Sequence, residues 1–301
     1  MAKAKRKIKQ KSLISSLVFI IAIIAVIVGR FNKSFDSPNA ATDTSNANTD
    51  CVSFIDVGQG SSTLIQSGTS GILIDAGERE YGNIVVEFLR SRGIEKLDYV
   101  VATHPHTDHI GGLQTVLENF TVDNIIMPRL TSENTPTTKT YEKLLETILN
   151  KKINVIAAKY GSKYTCGKIL FEIFGPVEQN NDLNNMSVIL KADVNSTTFL
   201  IAGDAEKTEM RSVMNKNPNL SCDIMLMGHH GSRTSLETSF LESASPSATV
   251  ISCGLDNSYG HPHEETLKYL NNHSIKYYRT DKSGTIMVNC VDDGYKISTE
   301  K

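Results

Sequence analysis

The chain has 301 residues, 40% of them hydrophobic, enough for one sizeable core or two modest ones. Residues 1–50 hold eight of the 31 basic residues and three of the 33 acidic ones, so residues 51–301 carry 23 against 30, a net of −7. A mildly acidic body argues against a protein that binds nucleic acid through bulk charge, and five scattered cysteines without a CxxC exclude a zinc ribbon and, being odd in number, full intrachain pairing.

The chain opens with Lys3, Lys5, Arg6, Lys7, Lys9 and Lys11, and an apolar run from Leu13 to Val28 follows. Sixteen helical residues span about 24 Å against about 30 Å of hydrocarbon, and extension to Phe31 with snorkelling of Lys11 and Arg30 closes the gap. The pattern predicts a basic cytoplasmic tail over 1–11 and a single membrane anchor over 12–31, with the remainder outside the cell. A cleaved signal peptide is the rival reading. The small residues of Asn39-Ala40-Ala41 lie far beyond the apolar run, which disfavours it. Residues 32–50 are polar, aperiodic and rich in Asn, Thr, Ser and Ala, as a flexible linker would be.

The texture changes at Cys51, and one domain is expected over 51–301. Short strands are predicted at 51–57, 62–66 and 71–77, a helix over 81–94, a strand over 96–103, a helix beginning in "HIGGLQTVLENF", a strand at 123–128, a helix over 140–151 and a strand at 153–158. The second half follows a similar order. Strands are predicted at 169–174, 187–193, 197–203, 222–228, 248–252, 275–279 and 284–289, with helices near 206–215, 235–242 and 263–272. Irregular alternation of this kind fits an α/β fold of two mixed sheets packed face to face with helices outside, a four-layer αββα sandwich.

Seven of the eight histidines fall in three loops that follow predicted strands: "THPHTDHIGG" (103–112), "MGHHGSRTS" (227–235) and "SYGHPHEE" (258–265). The eighth, His273, reads as a solvated helix-end residue. His104 and His106, two apart, can aim at one metal ion, while Asp108 and His109 turn toward a second. Gly111 and Gly112 allow close backbone packing behind them.

With "FIDVGQGSS", "ILIDAG", "THPHTDHIGGL", "NNMSVIL", "FLIAGD", "MGHHGSRTS" and "YGHPHEETLKYL" the chain resembles the metallo-β-lactamase-fold hydrolases, and more narrowly the soluble C-terminal domain of the ComEC competence proteins. The resemblance implies two divalent metal ions, Zn2+ first and Mn2+ as an alternative. It gives His104 and His106 to the first ion, Asp108 and His109 to the second, and Asp204 to both as a bridge. His261 is expected to complete the second site, with His230 as runner-up. Asp75 either matches an acid that orients a ligand histidine or is a turn residue before Gly77. His229 or His230 is a further candidate for the first site, where the third histidine usual in dizinc members is replaced by Asn185 or Ser187, and His263 is a possible additional ligand. Asp56 and Gln59 either shape the neighbouring loop or merely form a tight turn.

The resemblance implies hydrolysis of a phosphodiester, with DNA the expected substrate, Asp108 and Asp204 in the catalytic centre and His230 as proton donor to the leaving group. Arg233 is either a phosphate contact or a plain surface residue. Two readings compete: hydrolysis of a carbon ester, thioester or lactam, and a non-catalytic metal-binding module. The multi-span portion of ComEC proteins has no counterpart in these residues, so DNA translocation by this chain alone is not expected.

Overall fold

The computed structural model describes residues 50–217 and 219–301. The expected basic tail, anchor and all of the linker but Asp50 lie outside the described residues. Among the described residues no helix is long and apolar enough to cross a membrane.

Described strands form two sheets. One holds β1 (Asp50–Phe54), β2 (Thr63–Ser67), β3 (Ser70–Ile74), β4 (Lys96–Val101), β5 (Thr121–Met127) and β6 (Asn154–Ala157), together with β14 (Ile286–Val291) and β15 (Gly294–Thr299), which return from the far end of the chain. Their spatial order is β15-β14-β1-β2-β3-β4-β5-β6. The other sheet runs β13-β12-β11-β10-β9-β8-β7, from β7 (Lys163–Cys166), β8 (Ile169–Ile173), β9 (Leu190–Val194), β10 (Thr197–Ile201), β11 (Ile224–Leu226), β12 (Ala248–Ile251) and β13 (Lys276–Arg279). Both sheets are mixed: β3 to β6 and β10 to β13 are parallel runs, and the remaining pairs are antiparallel.

Alternation along the strands builds three apolar layers. Val52, Phe54, Ile72, Ile74 and Val101 point inward against Phe171, Leu190, Phe199 and Ile201 of the facing sheet. Leu64, Leu73, Leu97 and Val100 point the other way, onto α1 (Gly82–Ser91), α3 (Leu113–Asn119) and α4 (Lys139–Lys151) through Val85, Leu89, Leu113, Val116, Leu144 and Ile148. On the second sheet, Leu200, Met225 and Ile251 meet α5 (Lys207–Lys216), α6 (Thr238–Ala244) and α7 (Glu264–Asn272) through Met210, Val213, Phe240 and Leu270. The result is the expected αββα order of layers.

The helix expected from "HIGGLQTVLENF" is broken in two. Thr107–Ile110, here α2, ends before Gly111, and α3 starts after Gly112. A Cβ at Gly112 would lie 2.2 Å from the Ala76 carbonyl oxygen, so the two glycines seat the histidine loop against the end of β3. All five cysteines are buried and unpaired. Burial pushes the thiols of Cys166, Cys222, Cys253 and Cys290 up to about 12, which makes them inert packing residues.

Candidate metal centre

The parallel strands of both sheets end at one edge of the sandwich, and the histidine loops meet there. The loop after β4 carries His104, His106, Asp108 and His109, the loop after β10 carries Asp204, the loop after β11 carries His229 and His230, and the loop after β12 carries His261 and His263. Ligand atoms of Asp108, His109, Asp204 and His230 all lie within 4.8 Å of one another. Asp204 is the hub. Its Oδ1 is 3.0 Å from His109 Nε2, and its Oδ2 is 3.7 Å from the Nε2 atoms of His104, His229 and His230. His104 Nε2 and His106 Nδ1 are 3.1 Å apart beside this group.

His230, and not the expected His261, stands with Asp108, His109 and Asp204 in the four-residue group. Strand order gives the reason. β11 lies next to β10, so its loop reaches Asp204, whereas β12 is one strand farther out. His230 Nδ1 donates to the Ser252 carbonyl at 2.8 Å, which turns Nε2 to within 3.2 Å of Asp108 Oδ2. The His261 ring stands outside this group, its Nδ1 3.5 Å from Gln59 Nε2 and its face toward Tyr259. His263 is farther out still, where its Nδ1 accepts from the Arg233 backbone N–H at 3.0 Å. Arg233 itself points at Glu265, 3.7 Å away on the surface.

A shell of hydrogen bonds fixes the inner residues. Asp75, in a left-handed backbone conformation (φ 57°), accepts from His109 Nδ1 at 2.7 Å. It is held by the Thr103 backbone N–H at 2.8 Å and the Thr103 hydroxyl at 2.7 Å. Ser187 Oγ accepts from the Asp204 N–H at 3.0 Å, and Asn185 Oδ1 accepts from the N–H groups of Glu206 and Glu209. The two residues that stand in place of a third histidine therefore anchor the Asp204 loop. Gln59 does more than shape a turn: its Oε1 accepts from the Gly254 N–H at 3.0 Å, joining the first histidine sheet to the loop after β12. Ser252, Thr103 and the full reach of Gln59 were not legible in the sequence, because their roles rest on contacts between distant strands.

Electrostatics favour a cation at this spot. Burial pulls the His109 imidazole down, yet the carboxylates of Asp204 and Asp75 hold it well above its ordinary value. Burial raises Asp204, but the charges of His109, His230 and His104 bring it well below the usual carboxylate range. Asp108 likewise loses the cost of burial to its bond with His230 and the charge of His109, and is held low. For His104, burial and the neighbouring His109 both push the pKa well down. His109 Nε2 is buried without a hydrogen-bond partner, although Asp204 Oδ1 is close. An orphaned buried nitrogen beside two carboxylates, in a nitrogen and oxygen donor set, fits a divalent ion such as Zn2+ or Mn2+.

Residues 55–160 match the family model described as the metallo-beta-lactamase superfamily. The chain carries a domain of that superfamily. The domain is similar to part of ComE operon protein 3 of Bacillus subtilis, 31% identical over 78% of this chain and 32% of that protein. It is also similar to competence protein ComA of Neisseria gonorrhoeae, at 29% over 80% and 32%, and to recombination protein 2 of Haemophilus influenzae, at 28% over 82% and 29%. The chain thus spans about a third of the length of these relatives. In fold, the domain is similar to CmlA, a diiron β-hydroxylase from Streptomyces venezuelae, with 12% identity, a TM-score of 0.55 and coverage of 80% of this chain and 54% of that one. It is also similar to Igni18, a metallo hydrolase from Ignicoccus hospitalis, with 14% identity, a TM-score of 0.51 and coverage of 79% and 98%.

Proposed function

We propose that the chain is a metal-dependent phosphodiester hydrolase acting on DNA, held at the outer face of the cell membrane by its N-terminal apolar run. The observation that carries the reading is the convergence of Asp108, His109, Asp204 and His230 at a cleft of about 540 Å³. Similarity to competence and recombination proteins supports nucleic acid as the substrate class. The six basic residues ahead of Leu13, against Arg30 and Lys33 behind the run, support an N-terminus inside the cell.

His109, Asp108, Asp204 and His230 would hold one divalent ion, and His104 and His106 with Asp204 a second. When bound, such cations supply Lewis acidity and neutralise phosphoryl charge. The protein supplies the rest. No Lys or Arg lines the cleft among the described residues, while Asp108 and Asp204 do. The lining thus offers a phosphodiester no Lys or Arg to pair with, and bound cations would supply the positive charge that receives it. Asp75 fixes the His109 tautomer by accepting a hydrogen bond from Nδ1–H, which leaves Nε2 free as a ligand atom. Ser252 does the same for His230. With His230 committed to the inner group, His229 is the better-placed proton donor. It lines the cleft, its Nδ1 lies 3.1 Å from Thr234 Oγ1, and its Nε2 faces the Asp204 side. His261 is pushed down to about 4 by burial and by the charges of His230, His229 and His263, so it is neutral at pH 7 and serves in substrate placement.

The test is metal analysis of the purified full chain, joined to assays on bis-p-nitrophenyl phosphate and single-stranded DNA with Zn2+ or Mn2+. Hydrolysis of both that is lost on chelation is expected. Inertness of the metal-loaded protein toward both, with turnover of a thioester or lactam, would refute the phosphodiester reading. External protease should shed the body from intact cells; protection until lysis would refute the topology.

A further inference from the structure

Tyr259 lies at the mouth of the cleft and is 65% exposed, unusual for a large aromatic ring beside a buried centre. One face is covered. Its ring lies near-parallel to His261, 20° between planes and 5.6 Å between centroids. His261 in turn is near-parallel to His230, at 25° and 6.0 Å. Three rings thus step from solvent down to the residue that faces Asp108. Among the described residues no ring lies against the other face of Tyr259, and the adjoining surface is open: a Cβ built on Gly260 would meet nothing within 4 Å. Leu255, 63% exposed, extends the apolar rim into the neighbouring hollow, and Gln59 lines both hollows.

An enclosed apolar pocket would select a particular side chain. A flat ring with one supported face and one open face suits a planar partner of any identity. The support matters, because a tyrosine braced on one face by His261 has less rotamer freedom to lose when a second ring binds. We infer that Tyr259 is a stacking platform for a nucleobase of a single-stranded nucleic acid, seated beside the phosphate that enters the cleft. This rests on the nucleic-acid reading above. Tyr259 would be a positioning residue, since it touches a base and not the reacting atoms. Stacking has no hydrogen-bond code, so the site would hold a strand without regard to sequence. It would also give the acidic body a means of gripping nucleic acid that does not depend on a basic groove.

The experiment compares affinities of the metal-loaded full chain for two phosphorothioate-linked strands, oligodeoxythymidylate and an abasic strand of the same length, by fluorescence anisotropy. Cleavage of the corresponding phosphodiester strands is followed in parallel. The wild type should prefer the strand with bases by roughly 5- to 150-fold, the range typical of one base stacked on an aromatic ring. Tyr259→Ala should bring the two affinities together, and Tyr259→Phe should keep the preference, because the ring and not the hydroxyl carries it. A preference that survives in Tyr259→Ala, or disappears in Tyr259→Phe, overturns the inference, as does a wild type that binds both strands equally or neither. Cleavage separates the two readings. Base-dependent binding without cleavage sinks the hydrolase and leaves the platform, whereas cleavage with equal affinities sinks the platform and leaves the hydrolase. Melting curves of the variants exclude misfolding as a cause, and an exposed side chain gives little reason to expect it.

Discussion

At the scale of single residues, the loop after β11 holds backbone strain beside the centre. His229, His230 and Gly231 follow one another in the left-handed region, with φ of 50°, 54° and 78°. Two non-glycine residues there store on the order of 1–3 kcal/mol each. The turn throws both imidazoles to the Asp204 side, and a Cβ on Gly231 would lie 2.6 Å from that of Pro262, so the two histidine loops are packed hard against each other. Such strain is sustained only where the surroundings fix it, here by the Ser252 carbonyl bonded to His230 Nδ1. The assignment yields an opposed pair of outcomes. His230→Ala should lose one equivalent of metal, because it removes one of four converging donors. His261→Ala should keep its metal and lose turnover through the cleft wall. Metal stoichiometry of the two proteins side by side checks this, and metal retained by His230→Ala but lost by His261→Ala would return the ligand role to His261.

Deeply buried elements were legible, and so were two thinly buried edge strands, β6 and β13. Strands such as β3 and β10, apolar on both faces, and the amphipathic α4, Lys139–Lys151, fall close to where their sequence patterns put them. The missed strands are the other two at sheet edges. β7, Lys163–Cys166, and β15, Gly294–Thr299, bury little and carry lysines, as edge strands do to discourage further pairing, and their sequences read as loop. The site was legible as a set of histidines, because strand-end motifs are local. The choice between His230 and His261 was not, because strand order is a long-range property that no short motif encodes. α5 adds a buried acid that patterning also hides. Glu209 is 2% exposed, and its Oε1 accepts from the Val177 N–H at 2.7 Å. Burial, reinforced by the charge of Glu178, pushes its carboxyl up to about 7 from an ordinary 4.5. The native state therefore holds this proton more tightly than the unfolded chain does. The stability it contributes is whole below about 4.5 and is lost as pH rises through about 7, a change on the order of 3 kcal/mol. Glu209→Gln keeps the acceptor and cannot ionise, so it should be the more stable protein at pH 8 and show a flatter decline from pH 5. Denaturant titrations at the two pH values measure this, and parallel declines in both proteins would show that Glu209 does not titrate in this window.

At the scale of the whole molecule, the centre is a joint between the two sheets. His104, His106, Asp108 and His109 hang from the sheet that contains β4, and Asp204 and His230 from the sheet that contains β10 and β11. Without a cation, Asp108 and Asp204 repel each other in a buried edge and depend on protonated imidazoles for compensation. A divalent ion held by donors from both sheets would replace that arrangement with bonds that cross the interface, and only the folded chain brings those donors together. Binding to the native state alone stabilises it by about 2.7 kcal/mol at a free concentration 100 times the dissociation constant. For a domain of this size that is a rise in Tm of roughly 5–10 °C. Asp204→Ala removes the hub that both groups of histidines face, so its Tm should no longer respond to Zn2+ or Mn2+, while His263→Ala, which alters an imidazole that bonds the Arg233 backbone N–H and packs on His261 outside the four-residue group, should respond as the wild type does. Thermal melts of the full chain with and without metal, and after chelation, provide the measurement. A wild-type Tm that does not move while metal analysis shows the ion bound would mean that the ion sits elsewhere than between the sheets.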